Sequence, residues 1–133
     1  MATAAEIETI GVKVRAYKSD ASDFNAAQVL IGEIQKEFGR IDILVNNAGI
    51  SERTPFLDYT AETFDKVMDL NVTGLFNSTH AAASIMATQG NGVILNTSSM
   101  VSIYGQPSGV AYPTSKFAVN GLTVSLAREL GPK

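Results

Sequence analysis

Cysteine and tryptophan are absent from the 133-residue sequence, and histidine occurs once. Without cysteine there is no disulfide framework, no thiolate metal site and no cysteine nucleophile, as is usual in a reducing compartment. The single histidine, His80, lies in an apolar, helix-like stretch, and we interpret it as a structural or surface residue. We therefore expect no metal centre.

Long apolar runs and excess positive charge are also absent. No run approaches the ~20 residues of a membrane span, and the N-terminal residues lack the basic and apolar regions of a signal peptide. With 10 Lys and Arg against 13 Asp and Glu, the surface has no basic excess for nucleic acid or anionic lipid. The sequence predicts a cytoplasmic protein without nucleic-acid or membrane partners.

The composition that remains is that of a folded domain. Hydrophobic residues make up 45% of the chain and charged residues 17%, far from the composition of disordered segments. Glycine and proline are spread among the connections and do not cluster in a linker, so we expect a single domain over residues 1–133.

Helical and strand-like patterns alternate along the chain. Glycines at 11 and 39 end helical patterns, Ser22 or Asp23 can cap the second helix, and Thr60 can cap the third. The strand-like runs at 41–45 and 92–97 are nearly continuously apolar, which is typical of strands buried on both faces of a parallel sheet. The predicted elements are helix 2–10, strand 12–17, helix 23–38, strand 41–45, helix 60–86, strand 92–97 and a helix opening at Tyr112. This order predicts an α/β fold with a parallel sheet.

Tyr112 and Lys116 are four residues apart on the last predicted helix, so their side chains share a face. A phenol with a pKa near 10 is a poor acid or base at neutral pH, but a nearby ammonium favours the phenolate. An ordinary surface pair with a snorkelling lysine is the alternative.

Polar residues follow two of the predicted strands. Ser98 and Ser99 come after one, and Asn46-Asn47-Ala48-Gly49 ends the other, at the edge where open α/β folds bind ligands. A serine-rich loop cap and a plain turn are the alternative interpretations.

Asn71 interrupts the long apolar helix, where a buried amide would need a partner. It serves the site or faces solvent, and the local sequence favours neither.

Taken in order, these residues resemble the short-chain dehydrogenase/reductase family, with 3-oxoacyl-carrier-protein reductases and hydroxysteroid-type members closest in character. Asp20 after a strand, the Asn46–Gly49 run, Asn71, Ser99 and the Tyr112-x-x-x-Lys116 pair follow the family's order and approximate spacing. The resemblance covers nearly the whole chain. It implies the central part of a Rossmann-type doubly wound parallel sheet, and an oxidoreductase that interconverts a ketone and a secondary alcohol.

The resemblance implies a catalytic role for four residues. Tyr112 would exchange a proton with the reacting oxygen, and Ser99 would hydrogen-bond that oxygen. Lys116 would favour the phenolate of Tyr112 and hold the nicotinamide ribose. Asn71 would bend its helix and hold a water that links Lys116 to solvent.

The same resemblance implies a dinucleotide site for NAD or NADP. Asp20 would meet the adenine, while Asn46, Ala48 and Gly49 would lie along the cofactor beside Tyr112 and Lys116. The family's T-G-x-x-x-G-x-G phosphate loop does not occur in these 133 residues, nor does the residue that separates NAD from NADP. The cofactor preference therefore stays open.

Of the family's sheet order, 3-2-1-4-5-6-7, only strands 3, 4 and 5 with their helices are expected here. Strands 4 and 5 can pair, whereas strand 3, at 12–17, would lack its neighbours. Some form of truncation is the favoured explanation for the missing strands. The alternatives are a sequence that records only part of a larger protein and a swapped oligomer that completes the sheet.

Two functional consequences follow from the incomplete sheet. We expect a polypeptide of these 133 residues to be inactive, and a competing interpretation is a non-catalytic family remnant that only assembles with other subunits. In either case the resemblance implies a homo-oligomer formed through the helices at 60–86 and 112–130, with a small carbonyl or alcohol as the substrate.

Overall fold

A computed structural model describes residues 2–133, in which helices and short strands alternate as predicted. A 3₁₀ turn lies at Phe56–Asp58, and a π-helical stretch, Asp69–Gly74, joins the third helix to the fourth. The regular elements are α1 (Ala2–Glu8), α2 (Phe24–Phe38), β1 (Ile43–Asn46), α3 (Ala61–Met68), α4 (Leu75–Gln89), β2 (Val93–Asn96), α5 (Val101–Tyr104) and α6 (Ala111–Leu130).

Local capping sets the ends of the central helices. Of the two caps predicted for α2, Asp23 is the one used, and its carboxylate accepts the N–H of Ala26 at 3.0 Å. The helix ends where Gly39 adopts a left-handed conformation with φ of 83°. Thr60 caps α3 as predicted, and its hydroxyl accepts the N–H of Thr63 at 3.1 Å.

The two strands form a parallel pair that packs against helices on one face. Register runs from Ile43 opposite Val93 to Asn46 opposite Asn96. On one face Leu44 and Ile94 pack against a buried apolar cluster drawn from α2, α4 and the start of the strand region, namely Ile31, Ile41, Ala81, Ala82 and Met86.

The prediction that both strands are buried on both faces is wrong. Alternate residues of a strand point to opposite sides of its sheet. Ile43, Val45, Val93 and Leu95 point away from the helices and are between 50% and 61% exposed. In the described part of the chain, the helices that pack on the pair cover only the opposite side.

The predicted strand at 12–17 is also wrong: these residues form neither a strand nor a helix. A strand needs a neighbour for its backbone N–H and C=O groups, and none lies beside this segment within residues 2–133. Polar side chains attach it to the end of α2 instead. Lys13 and Arg15 pair with the Glu37 carboxylate at 3.3 and 2.8 Å.

Two further regions differ from the sequence-based expectation. The long helix predicted for 60–86 contains the π-helical stretch and continues to Gln89. The loop predicted for 98–109 contains the short helix α5.

None of the helices in residues 2–133 combines the length and apolar character needed to cross a bilayer.

Candidate active site

The site begins where the two strands end side by side. Asn46 and Asn96 are the last residues of β1 and β2 and lie opposite each other in register. Beyond them the chains stay in contact, because Thr97 donates its N–H to the Asn46 carbonyl and its hydroxyl to the Asn47 side chain, both at 3.0 Å. The two loops that follow the strands are therefore held together at the carboxyl edge of the sheet.

The first two turns of α6 add a tyrosine and a lysine to this edge. The ammonium nitrogen of Lys116 lies 5.6 Å from the centre of the Tyr112 ring. Lys116 is only 5% exposed, and its ammonium donates to the Thr97 carbonyl at 2.7 Å. That bond fixes α6 against the loop after β2.

Burial lowers the pKa of Lys116. The carbonyl of Thr97 is the one protein acceptor that its ammonium has among the described residues. An ammonium carries three N–H donors. Lys116 therefore keeps donors for a ligand with hydroxyl or carbonyl oxygens.

Asn71 is 2% exposed and lies in the π-helical stretch, which excludes the solvent-facing alternative. Its Oδ1 accepts the N–H of Ile50 at 2.8 Å, and its Nδ2 donates to the Ile50 carbonyl at 2.9 Å. The same Nδ2 donates to the Ser115 hydroxyl at 3.0 Å. Asn71 thus joins the loop after β1 to α6.

Gly49 lies directly beside these two residues. A Cβ atom at this position would stand 3.3 Å from Oδ1 of Asn71 and 3.8 Å from the ammonium of Lys116. The glycine itself is exposed. The structure therefore brings Gly49, Asn71 and Lys116 together, with open backbone on the solvent side.

Ser99 occupies the loop between β2 and α5 and is half-buried. Its hydroxyl accepts a long hydrogen bond, 3.4 Å, from the N–H of Val101. Two neighbouring serines attach this loop and α5 to α6, since Ser98 donates to the Lys116 carbonyl at 3.3 Å and Ser102, in α5, accepts from Asn120 at 2.8 Å.

Among the described residues, the side chains of Asn46 and Asp20 form no hydrogen bond with Asn71, Ser99 or Lys116. Nδ2 of Asn46 donates to Thr79 and to Asn96 at 2.9 Å, and Oδ1 accepts from Ser78 at 2.7 Å. The Asn46 side chain is therefore occupied within the protein.

Asp20 is exposed, as is Ala48. The Asp20 carboxylate accepts the hydroxyl and the N–H of Ser22 at 2.7 and 2.9 Å, and these hydrogen bonds lower its pKa.

The sequence analysis missed two members of the site. Ser115 is fully buried and relays between Asn71 and the Tyr112 carbonyl, to which it donates at 2.7 Å. Thr97 supplies the carbonyl that holds Lys116. Ser115 lies inside the Tyr112-x-x-x-Lys116 run, so its position was a usable signal, whereas a backbone carbonyl leaves no signature in a sequence.

His80 is exposed between two phenylalanine rings, with centroid distances of 5.4 Å to Phe24 and 5.8 Å to Phe76. No group of three His, Cys, Asp or Glu side chains within residues 2–133 is arranged as metal ligands would be.

Parallel strands whose carboxyl ends meet the start of a helix are the arrangement of a Rossmann-type α/β protein. The chain belongs to the short-chain dehydrogenase family, whose model, described as short chain dehydrogenase, matches residues 1–133. This is a family of oxidoreductases.

Among curated proteins, the chain is 67% identical over 109 residues to a 3alpha-hydroxysteroid dehydrogenase of Mediterraneibacter gnavus, covering 80% of this chain and 44% of that protein. It is 38% identical over 125 residues to a 3-oxoacyl-(acyl-carrier-protein) reductase of Thermotoga maritima, covering 94% of this chain and 51% of that enzyme. The chain thus spans about half the length of the curated relatives it matches.

Solved structures of dehydrogenases have the same fold as this chain. An NAD+-bound xylitol dehydrogenase is 37% identical, with a TM-score of 0.95 over 98% of this chain and 51% of that one. A gluconate 5-dehydrogenase of Burkholderia cenocepacia, in complex with NADP and tartrate, is 30% identical, with a TM-score of 0.91 over 96% and 50%. The two-stranded unit is therefore part of a Rossmann-type dehydrogenase fold.

Proposed function

We propose that this chain carries the catalytic part of an oxidoreductase that interconverts a ketone and a secondary alcohol with a nicotinamide dinucleotide. The observation that carries the proposal is the buried ammonium of Lys116, 5.6 Å from the Tyr112 ring. The two side chains share one face of α6, so a cation lies beside the group that would exchange the proton.

In the proposed reaction Tyr112 gives a proton to the carbonyl oxygen of a ketone, or takes one from the hydroxyl of an alcohol. Ser99 donates a hydrogen bond to the same oxygen, where negative charge develops as the carbonyl is reduced. The weak 3.4 Å bond that the Ser99 hydroxyl accepts from Val101 leaves its own O–H group free to donate.

The residues fit a nicotinamide dinucleotide, which supplies or accepts the hydride when bound. Lys116 retains donors for ribose hydroxyls, and the absent side chain of Gly49 allows a ligand to approach the backbone. Ala48 lines the same loop, and Asp20 offers an exposed carboxylate to the adenine end. Because its amide is occupied, Asn46 supports this loop from inside. Both NAD and NADP are compatible with these residues.

For Asn71 we propose a role through its backbone. Both N–H groups of its side chain already donate within the protein, to Ile50 and Ser115. A π-helical stretch, however, disturbs the regular i→i−4 bonding of the helix. A carbonyl released in this way can hold a water near Lys116, which would connect the ammonium to solvent.

The substrate class is a further part of the proposal. The relative at 67% identity acts on a hydroxysteroid by its name, which makes 3-oxo and 3α-hydroxy steroids the first compounds to assay. We also propose that the protein self-associates through α4 and α6. Phe76 on α4 and Phe117 and Val124 on α6 are large apolar side chains that are 45%, 51% and 63% exposed, and such surfaces often mark interaction sites.

Replacement of Tyr112 by Phe in the natural gene product tests the function. We expect kcat to fall by about 10²–10⁴-fold, since positioned proton transfer contributes about that much. Dinucleotide affinity, measured by fluorescence titration, should stay unchanged because only one oxygen is lost. Tyr17→Phe, on the surface next to α2, serves as the control and should retain full activity. A Tyr112→Phe enzyme within about threefold of the parent would refute the assignment.

A further inference from the structure

The loop between β1 and α3 is attached to the start of α6 through Gly109. The N–H of Gly109 donates to the Thr54 carbonyl at 3.0 Å. The Gly109 carbonyl accepts the side chain of Gln106 at 2.7 Å and the N–H of Tyr112 at 3.3 Å. One buried glycine thus lies between that loop and the residue proposed to exchange the proton.

The contact at Gly109 admits no side chain. Its φ of +76° is a left-handed conformation, and a Cβ atom would collide with the carbonyl oxygen of Glu52. The backbones of residues 52–54 and 109 are therefore in direct contact. A shift of either segment must move the other.

The carboxylate of Glu52 forms hydrogen bonds to two points of the loop between β1 and α3. Oε2 of Glu52 accepts the N–H of Thr54 at 2.7 Å, and Oε1 accepts the hydroxyl of Tyr59. Residues 52 and 59 are both half-buried and lie seven positions apart, and of the residues between them only Thr54 is also half-buried. The carboxylate therefore closes residues 52–59 into a small ring next to Gly109.

The pKa shifts agree with this geometry. Burial opposes ionisation of Glu52, but the hydrogen bonds from Tyr59 and Thr54 outweigh it and lower the pKa of the carboxyl group. Burial and then Glu52 raise the pKa of Tyr59, while the backbone N–H of Ala111 acts in the opposite direction.

Helix α6 has no side-chain cap of its own, because Val110 occupies the N-cap position. Its first turn consequently depends on neighbouring segments for its placement. We propose that Glu52 and Tyr59 are positioning residues that, through Gly109, set the first turn of α6 and hence the Tyr112 hydroxyl relative to the substrate. The inference rests on the proposed proton exchange at Tyr112.

Tyr59→Phe is the direct test, because it removes the hydroxyl and keeps the ring. Tyr17→Phe is a matched control, since the Tyr17 hydroxyl also donates to a glutamate, Glu37, at 3.3 Å, but near the C-terminal end of α2, outside the loop at 52–59 and α6. Both variants are made in the natural gene product and assayed by steady-state kinetics and dinucleotide titration.

We expect Tyr59→Phe to lower kcat about tenfold, because a small misplacement of a reacting group costs up to ~10²-fold. Dinucleotide affinity should stay unchanged, and Tyr17→Phe should match the parent. Glu52→Gln, which keeps an acceptor oxygen, should recover part of the kcat that Glu52→Ala loses. If Tyr59→Phe does not fold, the two Glu52 variants carry the same comparison.

The outcomes separate this inference from the proposed function. A Tyr59→Phe enzyme with parental kcat and only a lower unfolding midpoint would overturn the positioning role, and so would equal loss in Glu52→Gln and Glu52→Ala. An active Tyr112→Phe enzyme would refute the proposed function instead, whatever the loop variants do.

Discussion

At the scale of single residues, three of the deeply buried polar side chains organise the site. Asn71, Ser115 and Lys116 are between 0% and 5% exposed, whereas the apolar Ile43 is 61% exposed. A buried polar group costs free energy unless it is hydrogen-bonded, so its retention indicates a specific network. Here each of the three forms a hydrogen bond to a residue outside its own helical segment.

Replacing Lys116 by Met tests the one charged residue among these three. Methionine keeps the apolar stem but removes the ammonium, so packing should survive. We expect dinucleotide affinity to fall about 10–100-fold, because a charged hydrogen bond contributes about 1.5–3 kcal/mol. We expect kcat to fall as well. Calorimetric titration and steady-state rates measure the two effects.

Lys66→Met on α3 is the matched control, since Lys66 is exposed and forms no ion pair within the described residues. Parental affinity in Lys116→Met would mean that the lysine only anchors α6 to Thr97.

At the scale of elements, helix ends are fixed by short-range chemistry, and they can be tested one at a time. Asp23→Ala removes the carboxylate that caps α2, and we expect the free energy of unfolding to fall by about 1 kcal/mol. Asp65→Ala removes an exposed carboxylate within α3 and should change it by less than about 0.5 kcal/mol. Denaturant unfolding of both variants decides the point; equal effects would exclude a capping role.

Features that depend on short-range interactions could be predicted from the sequence, whereas features that depend on distant residues could not. The caps at Asp23 and Thr60 and the glycine stop at Gly39 depend on neighbours within a few residues, and all three were predictable. The strand at 12–17 has the right alternation but no partner strand in the described chain, and pairing is a long-range property. The π-helical stretch around Asn71 likewise depends on Ile50 and Ser115, which are distant in sequence.

In the candidate site, too, only the local arrangement of side chains could be predicted from the sequence. The spacing of Tyr112 and Lys116 placed them on one helix face, because helix geometry is local. The direction of the Asn46 amide was not predictable, since it depends on Thr79, Ser78 and Asn96, which other elements supply. The same is true of the contact between Gly109 and Glu52.

At the scale of the whole molecule, one face of the strand pair remains exposed. Four side chains, Ile43, Val45, Val93 and Leu95, form an apolar surface opposite the helices. A two-stranded sheet covered on one side only has marginal stability in water. Alternation of strands and helices was enough to predict the fold class, but it could not show how much of each strand the neighbouring elements cover.

A polypeptide limited to these 133 residues should bind dinucleotide weakly and show no measurable oxidoreductase activity. Its sequence contains no T-G-x-x-x-G-x-G loop, so the backbone donors that such a loop and its helix N-terminus give to a pyrophosphate are not available from it. Losing two or three charged hydrogen bonds removes about 4 kcal/mol or more, which is roughly a thousandfold in affinity. Calorimetric titration of the purified polypeptide with NADH and NADPH, after its mass has been verified, measures this directly. Stoichiometric micromolar binding would contradict the prediction and would mean that a second chain or a rearranged sheet supplies the phosphate donors.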